Sequence, residues 1–284
     1  MDKIKQIVEK ELKTDVLSVE RLHGGMSNYN YLVETTLGRL VVRVPGENAQ
    51  KFVNREIEKY HIDLVAGHQI NQEVLFTDVE SGIKISRYLE GKGLEKVEVK
   101  AVDVVNLMRK YHALISEVDY APFDRINLFE SYISNQSNEY FELRKRLNEY
   151  QDYLLSQEKV FCHNDAQPLN MIMSNNQLFL LDWEFAGNND PMYDLVCFTE
   201  DFGADPSFSE ELITTYFGRY DNDLLKRKLL WTIFQCLQWY NVALFKDNTG
   251  MSEKLKVNFL EVCDYFIETS KSNFELLRRM ENES

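Results

Sequence analysis

The chain has 284 residues, 44% of them hydrophobic, and a formal net charge of −14 at pH 7. Its length predicts about two domains or lobes, at roughly 150 residues each, with a core large enough to need neither disulfides nor metal. The acidic balance excludes a nucleic-acid partner, which would demand clustered Lys and Arg. It suits a cationic ligand instead.

In chain order, Ile4, Ile7, Val8 and Leu12 recur at helical spacing and predict a short opening helix over 3–12. The start lacks the apolar stretch of a secretory signal. Strand-like runs follow at Val16–Leu22, Tyr29–Thr35 and Leu40–Val44, the last two joined by a Thr36-Leu37-Gly38-Arg39 hairpin turn. A charged helix is expected from about Lys51 to Leu64, then two strands flanking Glu80-Ser81-Gly82, the second over Ile83–Leu89. Beyond Glu90-Gly91-Lys92-Gly93 the period changes. Helical patterns dominate at about 97–117, 129–155, 207–218, 222–246 and 252–279, with one strand-rich interruption at 160–185. The longest apolar runs, Leu178–Leu181 and Val242–Phe245, are too short to span a membrane. The four cysteines are scattered, with no C-x-x-C pair, as in reduced intracellular thiols, so a cytoplasmic location is expected. The expected fold is α+β and bilobal. A small antiparallel-sheet N-lobe covers 1–90, and a larger, mainly helical C-lobe covers 91–284.

The most informative stretch runs from Val160 to Asn170 and reads His163-x-Asp165-x-x-x-x-Asn170. This is the spacing of a kinase catalytic loop. Phosphoryl transfer needs a carboxylate, Asp165, to accept the proton of an attacking hydroxyl. It also needs a neutral oxygen, that of Asn170, to hold Mg²⁺ at the phosphates. A second carboxylate should bridge the metal, and Asp182 follows the apolar strand Leu178–Leu181, a placement that gives a hard cation a rigid oxygen ligand. Any one of these residues alone is better explained as a turn former. Their joint spacing, with a strand before each half and a sheet-rich region upstream, favours the kinase-like protein fold and chemistry.

His163-Asn164-Asp165-x4-Asn170, Asp182-Trp183-Glu184-Phe185 and Asn189-Asp190-Pro191-Met192-Tyr193-Asp194-Leu195 together resemble the choline/ethanolamine kinase branch of the aminoglycoside phosphotransferase-like kinases. Gly24-Gly25-Met26-Ser27-Asn28-Tyr29-Asn30-Tyr31 resembles that branch's phosphate loop, and Asn54-Arg55-x-x-Glu58-Lys59-Tyr60 its N-lobe helix. The resemblance implies ATP and Mg²⁺ as cofactors and a small cationic amino alcohol, choline above all, as acceptor. Ethanolamine, thiamine and aminoglycosides remain open as acceptors on the same fold, and a catalytically silent nucleotide-binding module is the rival of another class.

Several roles follow from that resemblance. Gly24, Gly25, Ser27 and Asn28 would cover the nucleotide phosphates. Arg43 would grip them where protein kinases use Lys, paired with Glu58 or with its rival Glu56. Glu184 would either help hold metal or orient a nearby cation. His163 would hold the loop by hydrogen bonds, and Asp194 would cap the helix after Pro191. For the acceptor, the family's acid falls on Asp201, with Glu200 beside it. The family's W-x-x-W keeps one ring here, Trp239, while Val242 stands for the second and Asn248-Thr249 replaces a further aromatic pair. A cation cage loses about 0.5–2 kcal/mol per missing ring. Tyr193 and Trp231 are the candidate replacements.

Overall fold

The computed structural model describes residues 1–22, 28–94, 97–201 and 205–283, leaving aside the side chains of Glu200, Asp201 and Glu283. Gly24, Gly25 and Ser27 therefore lie outside the described residues, as does the side chain of Asp201.

A helix, α1 (Asp2–Leu12), leads into β1 (Val16–Leu22), β2 (Asn28–Thr35) and β3 (Gly38–Pro45). After a single 3₁₀ turn comes α2 (Arg55–Val65), then β4 (Val74–Thr77) and β5 (Lys84–Arg87). The five strands form one antiparallel sheet in the order β1-β2-β3-β5-β4. Alternation decides its faces: Val33, Leu40, Val42 and Ile85 point to one side and bury against Ile4 and Val8 of α1. Each such side chain contributes about 1.5–3 kcal/mol when fully buried. On β3 and β5, Arg43 and Lys84 stand directly opposite one another.

The second core is larger. A short β6 (Lys92–Gly93) leads to α3 (Ala101–His112), α4 (Pro122–Glu130), α5 (Asn138–Asn148) and α6 (Gln151–Leu155). Then β7 (Val160–Cys162), β8 (Met171–Ser174), β9 (Gln177–Leu180) and β10 (Gly187–Asn189) form two small sheets, β10-β7 and β6-β8-β9. The chain ends in α7 (Pro191–Asp201), α8 (Pro206–Phe217), α9 (Asn222–Asn248), α10 (Met251–Leu255) and α11 (Phe259–Glu283). Ile62 and Val65 of α2 pack into this second core. The helix thereby ties the sheet's charged face to the loops between β7 and β10.

Three expectations change in detail. The pattern at 129–155 is not one helix: the chain breaks after Glu130, and Ser137 restarts it by accepting the Tyr140 N–H at 3.1 Å. The segment 252–279 divides at Lys256, which adopts φ +55°. The segment predicted at 222–246 forms α9, which has no one-sided apolar stripe because the helix runs through the core and is buried on nearly all sides.

Candidate active site

The loop from His163 to Asn170 leaves β7 with Asn164 at φ +60°. That conformation is one Asn tolerates by bonding its own surroundings. Its amide nitrogen donates to the carbonyls of Phe185 at 3.1 Å and Gly187 at 3.0 Å, and its oxygen accepts from Asn189 Nδ2 at 2.8 Å. The backbone N–H groups of His163 and Asn164 both donate to Asp194, at 2.8 and 2.7 Å. Tyr111 Oη donates to the same carboxylate at 2.8 Å, and His112 Nε2 lies 3.2 Å from it. Burial works to raise the Asp194 pKa, but His112, His163 and the N–H donors hold it below the usual carboxylate range. Asp194 is therefore not the cap expected for α7. Asp190 does that work, accepting the Met192 N–H at 2.8 Å while pairing with Arg227 and taking the Trp231 Nε1–H at 2.8 Å.

Within the loop, Asp165 is half-buried. Its N–H donates to His163 Nδ1 at 3.2 Å, which leaves the proton on Nε2 for the Leu181 carbonyl at 2.9 Å. Burial pushes the His163 pKa down, so the ring is neutral. Gln167 Nε2 donates to Asp165 Oδ1 and Asn170 Nδ2 to Oδ2, each at 2.9 Å. Asn170 thus commits its amide nitrogen to Asp165, and its oxygen is the atom turned away. The Leu181 N–H donates to the Asn170 carbonyl at 2.8 Å, joining the loop to the residue before Asp182.

Asp182 follows β9 with φ +68°. There it meets the charged face of the five-stranded sheet. Arg43 Nη1 pairs with Asp182 Oδ1, and Arg43 Nη2 with Glu58 Oε1 at 2.7 Å. This settles the pairing: Glu58 is buried against Arg43, whereas Glu56 is exposed. Asn54 fixes the register by capping α2, its oxygen accepting from the Glu56 and Ile57 N–H groups. Asn28 Nδ2 donates to Asp182 Oδ2 at 3.4 Å.

Two cations escaped the sequence reading. Lys84 Nζ lies 3.2 Å from Asp182 and 3.4 Å from Glu58. Arg55 Nη1 bridges Glu58 at 2.6 Å and Glu184 at 3.0 Å, and Arg43 reaches Glu184 at 3.3 Å. Gly82, at φ +71°, lets the β4–β5 turn lie over Arg55, since a Cβ there would stand 2.8 Å from Arg55 Nε. Three cations therefore interlock with three carboxylates. Burial works against the charge of Arg43, but Asp182, Glu58 and Glu184 hold its pKa above the ordinary value. Burial likewise opposes charge on Asp182 and Glu58, and Lys84 and Arg43 override it, keeping both pKa values low. Glu184 goes the other way: burial and then the Asp182 charge push it up to about 7, against the pull of Arg43. The only signal for Lys84 was its register opposite Arg43, visible once the strands are paired.

On the acceptor side, Trp239 packs edge-on against Phe185, with ring centroids 5.5 Å apart, so it faces the loop after Asp182. Tyr193 and Trp231 are buried in the core, 5.2 Å apart. The Tyr193 hydroxyl is engaged by Tyr120 at 3.3 Å and Gln238 at 3.2 Å. Neither ring presents an open face, so the expectation that they rebuild a cage is corrected. Arg125 instead lies over the rings of Tyr120, at 4.5 Å, and Phe185, at 5.7 Å. Lys246 of α9 is half-buried, and burial lowers its pKa to about 8 while Glu184 and Asp165 pull it up.

The arrangement combines a positioned carboxylate, an adjacent set of oxygen ligands and a buried cluster of cations, the parts that phosphoryl transfer requires. Comparison with known proteins agrees. The model of the phosphotransferase enzyme family matches residues 18–230, and the chain belongs to that family. Protein LicA of Haemophilus influenzae is 27% identical over 207 residues, 68% of this chain and 61% of the relative's length. The solved choline kinase LicA from Streptococcus pneumoniae superposes with a TM-score of 0.81 at 26% identity, covering 95% of this chain and 98% of that one. A LicA structure in complex with AMP gives the same TM-score, 0.81, at 26% identity over 96% of this chain and 98% of that one. These relatives share the kinase-like α+β fold and bear out the resemblance to the choline kinase branch. No helix among the described residues is long and apolar enough to cross a membrane.

Proposed function

We propose that this protein is a cytoplasmic, ATP- and Mg²⁺-dependent kinase that phosphorylates the hydroxyl of a small amino alcohol, choline before the others. The observation that carries the proposal is the catalytic loop itself. Asp165 is held by Gln167, Asn170 and His163, on a backbone pinned by Asp194.

In this reading the sheet and α2, within residues 1–90, cover the nucleotide, and residues 91–284 supply the loop and the acceptor site. Arg43, held by Glu58, binds the phosphate chain, and Gly24, Gly25, Ser27 and Asn28 are assigned to it by the family resemblance alone. Asp165 orients the acceptor hydroxyl in line with the γ-phosphoryl group and accepts its proton. The fixed loop provides this alignment before substrate arrives.

The donor set suits a hard cation. Asn170 offers an amide oxygen, and carboxylate oxygens of Glu58, Asp182 and Glu184 lie within 4.8 Å of one another. Asn170 and Asp182 would hold the metal, with Glu184 beside them. Bound there, Mg²⁺ would neutralise charge on the transferring phosphates. On the acceptor side, Trp239 is the half-buried ring left to meet a quaternary ammonium, and Asp201 would supply the counter-charge, as the family resemblance implies.

The test is ADP release from Mg-ATP with choline, ethanolamine, thiamine or kanamycin, run beside Asp165→Ala. Choline-dependent turnover lost in the variant supports the proposal. Turnover with another acceptor alone replaces the substrate. Nucleotide binding without any turnover supports a silent binding module.

A further inference from the structure

The interlocked charges at Asp182 assign Lys84 a task. Arg43 and Lys84 face each other across β3 and β5, and each is 4% exposed. Two buried like charges directly opposite in an antiparallel pair are unfavourable unless anions compensate them. Glu58 is already shared by both guanidinium groups, Arg43 at 2.7 Å and Arg55 at 2.6 Å. Lys84 meets it only at 3.4 Å, and its closer partner is Asp182, at 3.2 Å. Asp182 is also the carboxylate that the proposed reading gives to the metal.

Hydrogen-bond supply points the same way. Among the described residues, Arg43 Nε and Arg55 Nη2 are buried donors without a partner. Buried orphan donors are costly, and these two stand beside the ion-pair cluster, where Asn28 Oδ1 is likewise a buried acceptor without a partner. The oxygens of a phosphate chain would accept from both donors.

We propose that Lys84 is a second phosphate-binding cation of the nucleotide site. It rests on Asp182 in the ligand-free protein and passes to the phosphate chain when nucleotide and metal enter together. This rests on the kinase reading and goes further: it makes the site selective for di- and triphosphates over a monophosphate. It also implies that the metal alone, without phosphates to receive Lys84, binds weakly at Asp182.

Calorimetry with AMP, ADP and ATP, with and without Mg²⁺, on wild type, Lys84→Met and Lys84→Arg tests it. The expected result is a loss of tenfold or more in ADP and ATP affinity for Lys84→Met, no change for AMP, and recovery in Lys84→Arg. Equal weakening for all three nucleotides would reduce Lys84 to a structural ion pair, and unchanged ADP affinity would overturn the proposal outright. Should Lys84→Met not fold, the wild-type protein is labelled with adenosine diphosphopyridoxal and borohydride, and the modified lysine is mapped by mass spectrometry. Label on Lys84, blocked by ATP, supports the proposal; label elsewhere refutes it. Absence of turnover with every acceptor would count against the kinase reading, yet would leave this binding pattern intact, so the two failures are distinct.

Discussion

Asp194 is the residue whose replacement most sharply tests how the loop is held. Its two oxygens accept from the His163 and Asn164 N–H groups and from Tyr111, with His112 at 3.2 Å. Asp194→Asn keeps the shape but turns one acceptor into a donor. Whichever way the amide is turned, an NH₂ group then faces a backbone N–H or the Tyr111 and His112 donors. Hydrogen bonds to a buried charge contribute about 1.5–3 kcal/mol each, and a stranded buried donor costs a further ~1–3 kcal/mol. The expected loss is about 3–5 kcal/mol, a large part of the roughly 5–15 kcal/mol that keeps a protein folded. At about 2 °C per kcal/mol for a chain of this size, the melting temperature should fall by about 6–10 °C. Calorimetric melting of the two proteins reads this directly. A fall of less than about 2 °C would refute the claim that Asp194 pins the loop.

Other consequences can be checked separately. Glu58→Gln removes the carboxylate shared by Arg43, Arg55 and Lys84 and should cost about 3–5 kcal/mol, the range for breaking a buried pair; a denaturant titration reads it. His61, buried beside Ser116 at 2.9 Å, has its pKa lowered by burial to about 4. The unfolded chain then binds the extra proton between pH 6.5 and 4, so stability is full above about pH 6.5 and falls as pH drops through that window. His61→Gln should flatten that part of the stability curve, and an unchanged slope would remove His61 as its source. Trp239→Ala should raise the acceptor KM severalfold, in line with about 0.5–2 kcal/mol for a lost cation–π contact, while leaving the ATP KM alone. Steady-state kinetics with each substrate varied in turn distinguishes this from a general loss of folding.

Local patterns carried much of the architecture. The alternation in 16–44 and the turn at Gly82 specified four of the five sheet strands closely, and the loop spacing brought Asp165 and Asn170 together as expected. What stayed hidden depends on contacts distant in sequence. Helical period cannot separate Glu56 from Glu58 until the helix is docked on the sheet. Lys84 looks like an ordinary strand residue until β5 pairs with β3 and sets it opposite Arg43. Asp194 has the spacing of a cap, yet its carboxylate reaches back about thirty residues to His163 and Asn164. The helical period of α9 does not tell which face is buried, because a helix inside the core buries polar groups too. Gln238, for example, is satisfied there by Tyr120 and Tyr193.

The most direct measurement is ³¹P NMR of the protein with Mg-ATP and choline, beside Asp165→Asn. The account predicts a phosphomonoester signal from phosphocholine rising in step with ADP in the wild type and absent in the variant. Inorganic phosphate and ADP alone, or product formed equally well by Asp165→Asn, would contradict it.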